Sequence, residues 1–361
     1  MSLTDYLIAR ISTDGPLSIA DYMTASLLHP EFGYYATRDP FGAAGDFTTA
    51  PEISQMFGEL AGLCLAQAWM DRGGAAQGKM LLVEPGPGRG TLMADMLRVL
   101  AKVPNLTPEV HLIEASAHLK AVQRATLSGV DVTWHDTVSS LPQGPVYMVA
   151  NEFLDALPIR QFVREGEMWR ERQVGVVEGK LAFGLAPPSF NTGLRHVEGI
   201  TPQGGMVELC PAASGFASDI ATRIAAAGGV AIFIDYGGWV SQGDTLQALR
   251  DHAPVDPLSD AGSADLTAHV DFERIAAAAS HAGAQVSPLL TQGAWLRRLG
   301  IDHRAQALAA KLQGDARADH LAAHHRLTDS AEMGQLFKVL AIHATGTPPV
   351  PAFETPDPAF D

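Results

Sequence analysis

The sequence predicts an α/β fold: a Rossmann-like parallel sheet carrying an N-terminal helical cap and an inserted antiparallel β meander. Three observations predict it. The stretch Leu81-Leu82-Val83-Glu84-Pro85-Gly86-Pro87-Gly88-Arg89-Gly90 is an apolar run that breaks into alternating glycines and is followed by a helical pattern. It reads as strand, glycine-rich turn, helix, the usual opening of a nucleotide-binding unit. From 79 to about 155 fully apolar strands alternate with helical segments, which implies a parallel sheet covered on both faces. At 160–186 the period changes to that of short strands joined by Glu165-Gly166-Glu167 and Glu178-Gly179-Lys180, a meander.

Taken in order, residues 1 to about 35 read as two short helices, broken at Gly15-Pro16 and ended near His29-Pro30. A polar, glycine-rich loop runs through Asp46, and Pro51 starts a helix with Ile53, Met56, Phe57, Leu60, Leu63 and Cys64 on one stripe. Then come strand 80–84, helix 91–102, strand 110–114, helix 116–127 and strands 130–134 and 146–150. After the meander, Ala212 to Ala227 is helical and Gly229–Gly238 is a second buried strand ending in a turn. A mobile-looking segment at about 240–266 precedes a helix capped by Asp271. A strand at 284–290, helix over 291–313 and a late antiparallel strand from Gln335 to Ile342 close the pattern. The expected domains are a cap at 1–78, a core at 79–159 and 226–345, an insert at 160–225, and a poorly ordered proline-rich tail at 346–361.

Composition narrows the function. The 361 residues hold 25 Lys+Arg against 40 Asp+Glu, a formal charge of −15, which argues against a nucleic-acid partner and suits a cationic substrate. Cys64 and Cys210 are the two cysteines, too few for a disulfide framework or a cysteine metal site, and the thirteen histidines show no metal spacing, so no metal is expected. With no apolar run of spanning length, no signal-peptide core and no arginine-rich leader in Met1-Ser2-Leu3-Thr4-Asp5-Tyr6, the sequence reads as soluble and cytoplasmic.

The acids choose the cofactor. Gly86, Gly88 and Gly90 would let the turn approach a ligand, but Glu84 stands where a dinucleotide fold would place a pyrophosphate, and a carboxylate there repels phosphate. S-adenosylmethionine (SAM) carries an ammonium and a sulfonium and no phosphate, so charge favours SAM over NAD. Glu114 closes the next strand, where an acid that pairs with ribose hydroxyls belongs. Asp136, just past the third strand, stands where a carboxylate can hold an adenine amino group, although a solvated loop acid fits as well.

A second constellation, Asn151-Glu152-Phe153-Leu154-Asp155-Ala156-Leu157-Pro158, leaves the end of strand 146–150. Ligands of open α/β sheets lie outside the carboxyl ends of the strands, so Glu152 and Asp155 fall next to the glycine turn. They either cap the following helix or orient a cationic nucleophile and accept its proton; a guanidinium, whose pKa exceeds about 12, demands the second. Asp46, Glu52 and Asp235 are further acids that could line the cleft on the substrate side. His269 beside Asp271 lacks any nucleophile motif, and capping explains Asp271.

These blocks match a family. Gly45-Asp46-Phe47-Thr48-Thr49-Ala50-Pro51-Glu52-Ile53-Ser54, Glu84-Pro85-Gly86-Pro87-Gly88-Arg89-Gly90, Asn151 to Pro158, Ile234-Asp235-Tyr236-Gly237 and His269-Val270-Asp271-Phe272, extended by Thr291-Gln292 and Met333-Gly334, resemble the MidA family of class I SAM-dependent methyltransferases. The resemblance implies a protein arginine N-methyltransferase. Its mitochondrial member symmetrically dimethylates a subunit of respiratory complex I, so the implied partner is a protein substrate with a target arginine, of the complex I type. Glu84, Gly86, Gly88, Gly90 and Glu114 would hold SAM, with Glu152 in the substrate-facing block. Ala150, Leu154 and Trp295 depart from the family pattern, which bears on the shape of the substrate pocket rather than on cofactor binding.

Two other functions stay open: a methyltransferase of a small molecule, since fold does not fix substrate, and a SAM-binding assembly factor that holds a partner without turnover. An NAD oxidoreductase comes last because of Glu84. A homodimer is among the assemblies the sequence leaves open.

Overall fold

The computed structural model describes residues 2–37 and 48–354. The chain divides into two compact units, Met1–Phe47 with Asp155–Ala213 and Val240–Asp271, and Thr48–Leu154 with Ser214–Trp239 and Phe272–Asp361.

The second unit carries the parallel sheet. Its elements are α1 (Gln55–Asp71), β1 (Leu81–Pro85), α2 (Thr91–Leu100), β2 (Glu109–Ile113), α3 (Ala117–Thr126), β3 (Val132–His135), β4 (Val146–Asn151), α4 (Pro211–Ala227, from Ser214 in this unit), β5 (Gly229–Gly238), α5 (Phe272–His281), β6 (Ala284–Val286), α6 (Gln292–Arg298), α7 (Ile301–Ala309), α8 (Gly314–Thr328) and β7 (Phe337–Ala344). The strand order is β6-β7-β5-β4-β1-β2-β3. The pairs β5–β4, β4–β1, β1–β2 and β2–β3 are parallel, whereas β7 runs antiparallel to both β5 and β6. Every residue of β1 and β4 is buried, as a sheet covered on both faces requires. The order turns back between β1 and β4, so the crevice at their carboxyl ends is where a ligand belongs.

The expected boundaries move for packing reasons. The helix from Pro51 belongs to the sheet unit, not to a cap, because Met56, Phe57, Leu60, Ala61 and Leu65 bury in one cluster with Leu92, Met93 and Met96 of α2. It is also broken: Ser54 is extended, and its Oγ accepts from the Met56 amide to start α1 afresh after a short helix Ala50–Ile53. The helix after the meander likewise covers the sheet, with Ile220, Ala221 and Ile224 fully buried. Helix 291–313 splits at Leu299-Gly300, where Gly300 adopts φ +89°. The tail is ordered through residue 354, because Val350 and Phe353 are buried and the carbonyls of Pro348 and Ala352 accept from Arg72 and Arg298. Residues from 355 lie outside the described range.

The first unit, described by itself, sets the helices Leu3–Asp14 and Ile19–Leu28 on an antiparallel sheet. Ser2 and Ser18 cap the two helices. The sheet runs Leu17–Ser18, Met168–Val177, Arg160–Glu165, Met206–Leu209, with Lys180–Leu185 on the other edge of Met168–Val177. Segment 240–266 is not irregular: Gln247–Arg250 pairs with Ala253–Val255 and Asp265–Thr267, and the Tyr22 hydroxyl donates to the Pro257 carbonyl. Among the described residues no helix is long and apolar enough to cross a membrane.

Candidate cofactor and acceptor site

The site grows from the end of β1. Gly86, Gly88 and Gly90 take φ of +56°, +51° and +84°, so the turn holds three left-handed residues before α2 begins. Gly86 also needs its missing side chain, since a Cβ there would lie 2.8 Å from the Phe153 ring. The glycine turn and the Asn-Glu-Phe block therefore pack directly on one another. Glu84 is 3 % exposed; one of its oxygens accepts from the Met93 amide in the first turn of α2, and Oε2 has no hydrogen-bond partner. Burial pushes its carboxyl well above the ordinary range.

Glu114, past the end of β2, is also buried. Its Oε1 accepts from the Ser116 amide at 2.8 Å and its Oε2 from Gln123 Nε2 at 3.1 Å. Desolvation raises its carboxyl against the lowering effect of these bonds. Gln123 is a residue the sequence did not single out, and it is fully buried. Its Nε2 also donates to the Gly88 carbonyl at 2.9 Å, and its Oε1 accepts from Trp134 Nε1 at 2.8 Å. One amide thus ties the turn, the second acid and β3 together. The clue in the sequence is its place between Leu119 and Leu127 on the apolar stripe of α3. Asp136 is solvent-facing and bridges to Lys120 at 2.8 Å, which lowers its carboxyl.

Glu152 follows β4. Its backbone is left-handed at φ +49°, its amide donates to the Ile234 carbonyl at 2.9 Å, and its Oε1 accepts from the Ala50 amide at 2.9 Å and from Asn151 Nδ2 at 3.0 Å. A non-glycine residue at positive φ persists where the surroundings over-determine it. Asp235, at the end of β5, does so: fully buried, its Oδ2 accepts from the Phe153 and Leu154 amides at 3.2 and 2.9 Å and its Oδ1 from the Tyr236 amide at 3.0 Å. Its carboxylate builds the turn that presents Glu152. Glu52 reaches the start of α2, its Oε1 accepting from Thr91 Oγ1 at 2.6 Å.

A cavity of about 580 Å³ opens at Glu152, lined also by Thr48, Arg326, Glu332, Gln335 and Phe337. Asp155 belongs to the other unit, where its side chain is buried and its carbonyl accepts from the Ala268 amide at 3.0 Å. Asp46 lies outside the described residues. The structure thus brings Glu84, Gly86, Gly88, Gly90, Glu114, Glu152 and Asp235 together at the carboxyl edge of one sheet.

A buried carboxylate with one unpartnered oxygen beside a glycine turn fits a ligand that brings a cation or a donor, and it disfavours phosphate. A family model described as "Putative S-adenosyl-L-methionine-dependent methyltransferase" matches residues 60–289. The chain belongs to this methyltransferase family. It is 35 % identical to human "Protein arginine methyltransferase NDUFAF7, mitochondrial" over 93 % of its length and 82 % of that protein, and 34 % identical to the Danio rerio protein of that name over 94 % and 86 %. Among solved structures, a Burkholderia thailandensis protein bound to S-adenosyl-homocysteine superposes with a TM-score of 0.83 at 29 % identity, covering 97 % of this chain and 94 % of that one. In this SAM-dependent methyltransferase, Glu84 would meet the cofactor's ammonium and Glu114 its ribose, with Gly86, Gly88 and Gly90 letting the turn come close to it.

Proposed function

We propose that the chain is a protein arginine N-methyltransferase. The observation that carries the reading is Glu152: a carboxylate fixed through Oε1 by the Ala50 amide and Asn151 Nδ2, held on a strained turn next to Phe153, which packs on Gly86, and lining a cavity. When bound, SAM supplies an electrophilic sulfonium methyl. The chain's own work is at the acceptor. Glu152 pairs with a guanidinium, aligns one nitrogen, and takes the proton that nitrogen loses as its bond to the methyl carbon forms and the carbon–sulfur bond breaks. Asp235 keeps Glu152 in place, and the packing of Phe153 on Gly86 sets the distance between turn and acceptor pocket.

The relatives named as protein arginine methyltransferases support this reading, and the resemblance extends it to symmetric dimethylation of a respiratory-complex-type substrate. The test is incubation of purified protein with methyl-labelled SAM and extract of its own cells, followed by acid hydrolysis and separation of methylarginines. Labelled ω-methylarginine with wild type and none with Glu152→Gln is the expected result. Label confined to small molecules would overturn it in favour of the second reading. Survival of the cellular role in Glu152→Gln with SAM binding intact would favour a non-catalytic assembly factor.

A further inference from the structure

The blocks Thr291-Gln292-Gly293 and Met333-Gly334 have no part in the cofactor turn, yet the structure gives them one task. Gln292 is fully buried and its Nε2 donates to the Leu327 carbonyl at 2.9 Å; Arg297 Nη2 donates to the Thr328 carbonyl at the same distance. Gly293 and Gly334 both press on Thr328: a Cβ on either would lie 2.5 or 2.1 Å from its carbonyl oxygen. Asp329 then closes a turn, accepting from the Glu332 and Gly334 amides through its carbonyl and from the Ala331 amide through Oδ1. Leu327, Met333 and Phe337 are buried anchors, whereas Ser330, Glu332, Gln335 and Leu336 stay exposed. These exposed residues line the cavity that Glu152 lines. A loop clamped at its base by backbone contacts and presenting a polar rim to a pocket is built to recognise what enters.

We infer that Ser330–Leu336, a turn leading into the short helix Met333–Leu336, is the acceptor-recognition loop and that Glu332 is its specificity-determining residue, selecting a cationic side chain for Glu152. The inference rests on the arginine-methyltransferase reading and adds to it the group that chooses the acceptor. Arg326, which lines the same cavity, opposes a cation, so the two side chains act with opposite signs. About 580 Å³ is within the range of pockets that enclose a side chain with its flanking backbone.

The test is binding of Nα-acetylarginine methylamide, with its neutral citrulline and its lysine counterparts, to the full-length protein saturated with S-adenosylhomocysteine, read by ligand-observed NMR. Wild type should bind the arginine probe and not citrulline. Glu332→Gln should weaken the arginine probe about threefold and Arg326→Gln strengthen it about twofold, as expected for exposed charges, with both effects shrinking in high salt and S-adenosylhomocysteine affinity unmoved. A purely structural role for the loop would not give opposite signs. If the lysine probe binds better while Glu332 still controls it, the arginine reading fails and the loop assignment stands. If Glu332→Gln leaves the arginine probe unchanged, or wild type binds none of the three probes, the loop assignment is overturned.

Discussion

Gln123 Nε2 donates to the Gly88 carbonyl at 2.9 Å and, from the same nitrogen, to Glu114 Oε2 at 3.1 Å. Because its Oε1 is taken by the Trp134 indole, the amide cannot rotate, and the orientation of Glu114 is fixed before any cofactor arrives. Gln123→Met keeps the volume and removes the polar atoms. It should weaken S-adenosylhomocysteine binding about tenfold, the worth of a hydrogen bond to a charged group, as measured by calorimetry. In a Glu114→Ala background the same change should cost nothing further, because Gln123 acts through Glu114. Additive losses would refute that route.

Glu84 couples the cofactor to pH. Burial raises its carboxyl in the free protein, so protonated Glu84 persists to higher pH than an ordinary carboxyl, and pairing with the cofactor's ammonium requires that proton to leave. Affinity for S-adenosylhomocysteine should therefore rise with pH, about tenfold per unit, until Glu84 is ionised, with a proton released on binding. The sign for stability is opposite: an acid whose folded pKa is raised stabilises below its unfolded value and loses that stability as pH rises through the folded one. Glu84→Gln should accordingly raise the Tm of the cofactor-free protein at pH 8 by about 2 °C while losing binding about tenfold or more. Calorimetry in buffers of different ionisation enthalpy and a melting scan check the two halves.

Asp235 separates positioning from binding. With three backbone amides on its carboxylate, Asp235→Asn turns one acceptor into a donor facing N–H groups. Methyl transfer should fall about a hundredfold through displacement of Glu152, with S-adenosylhomocysteine affinity changed less than about twofold. Parallel loss of both would mean that the turn and the cofactor cradle collapse together.

What could be read beforehand follows from where the information resides. The places of Glu84, the glycines and Glu114 are legible because strand ends and positive-φ turns are local, and that of Glu152 because β4 is a continuous apolar run. Gln123 and Asp235 draw their roles from partners on other elements, Gly88 and Trp134 for one and Phe153 and Leu154 for the other, which no local pattern shows. Helix α8 escaped because it buries only Leu327 and Thr328 and so carries no apolar stripe. The sheet at 247–267 escaped because its strands are three or four residues long. The break at Ser54 is a single extended residue inside an unbroken amphipathic pattern.

A pair of buried histidines links β2 to β3. His111 Nδ1 and His135 Nε2 lie 3.0 Å apart, and His135 Nδ1 is 2.9 Å from Ser140 Oγ. The Ser140 hydroxyl donates to the Thr137 carbonyl, so it accepts from His135 Nδ1–H. With neutral rings, His135 Nε2 accepts from His111 Nδ1–H, and His111 Nε2, which has no hydrogen-bond partner, lies 4.0 Å from Glu109 Oε2. Desolvation lowers the pKa of each ring, with His135 adding to the effect on His111 against the pull of Glu109, and Arg223 adding to that on His135. A histidine whose folded pKa is depressed contributes stability above its unfolded value, about 6.5, and loses it as pH falls, because the unfolded chain then binds the extra proton. Against the opposite contribution of Glu84, the pair should lower stability as pH falls below about 6.5, by up to about 1.4 kcal/mol per pH unit for each proton taken up, read as a falling Tm. His111→Gln, whose amide can still donate to His135 Nε2, should make the drop shallower in a melting series. An unchanged slope would show that acid acts on this protein elsewhere.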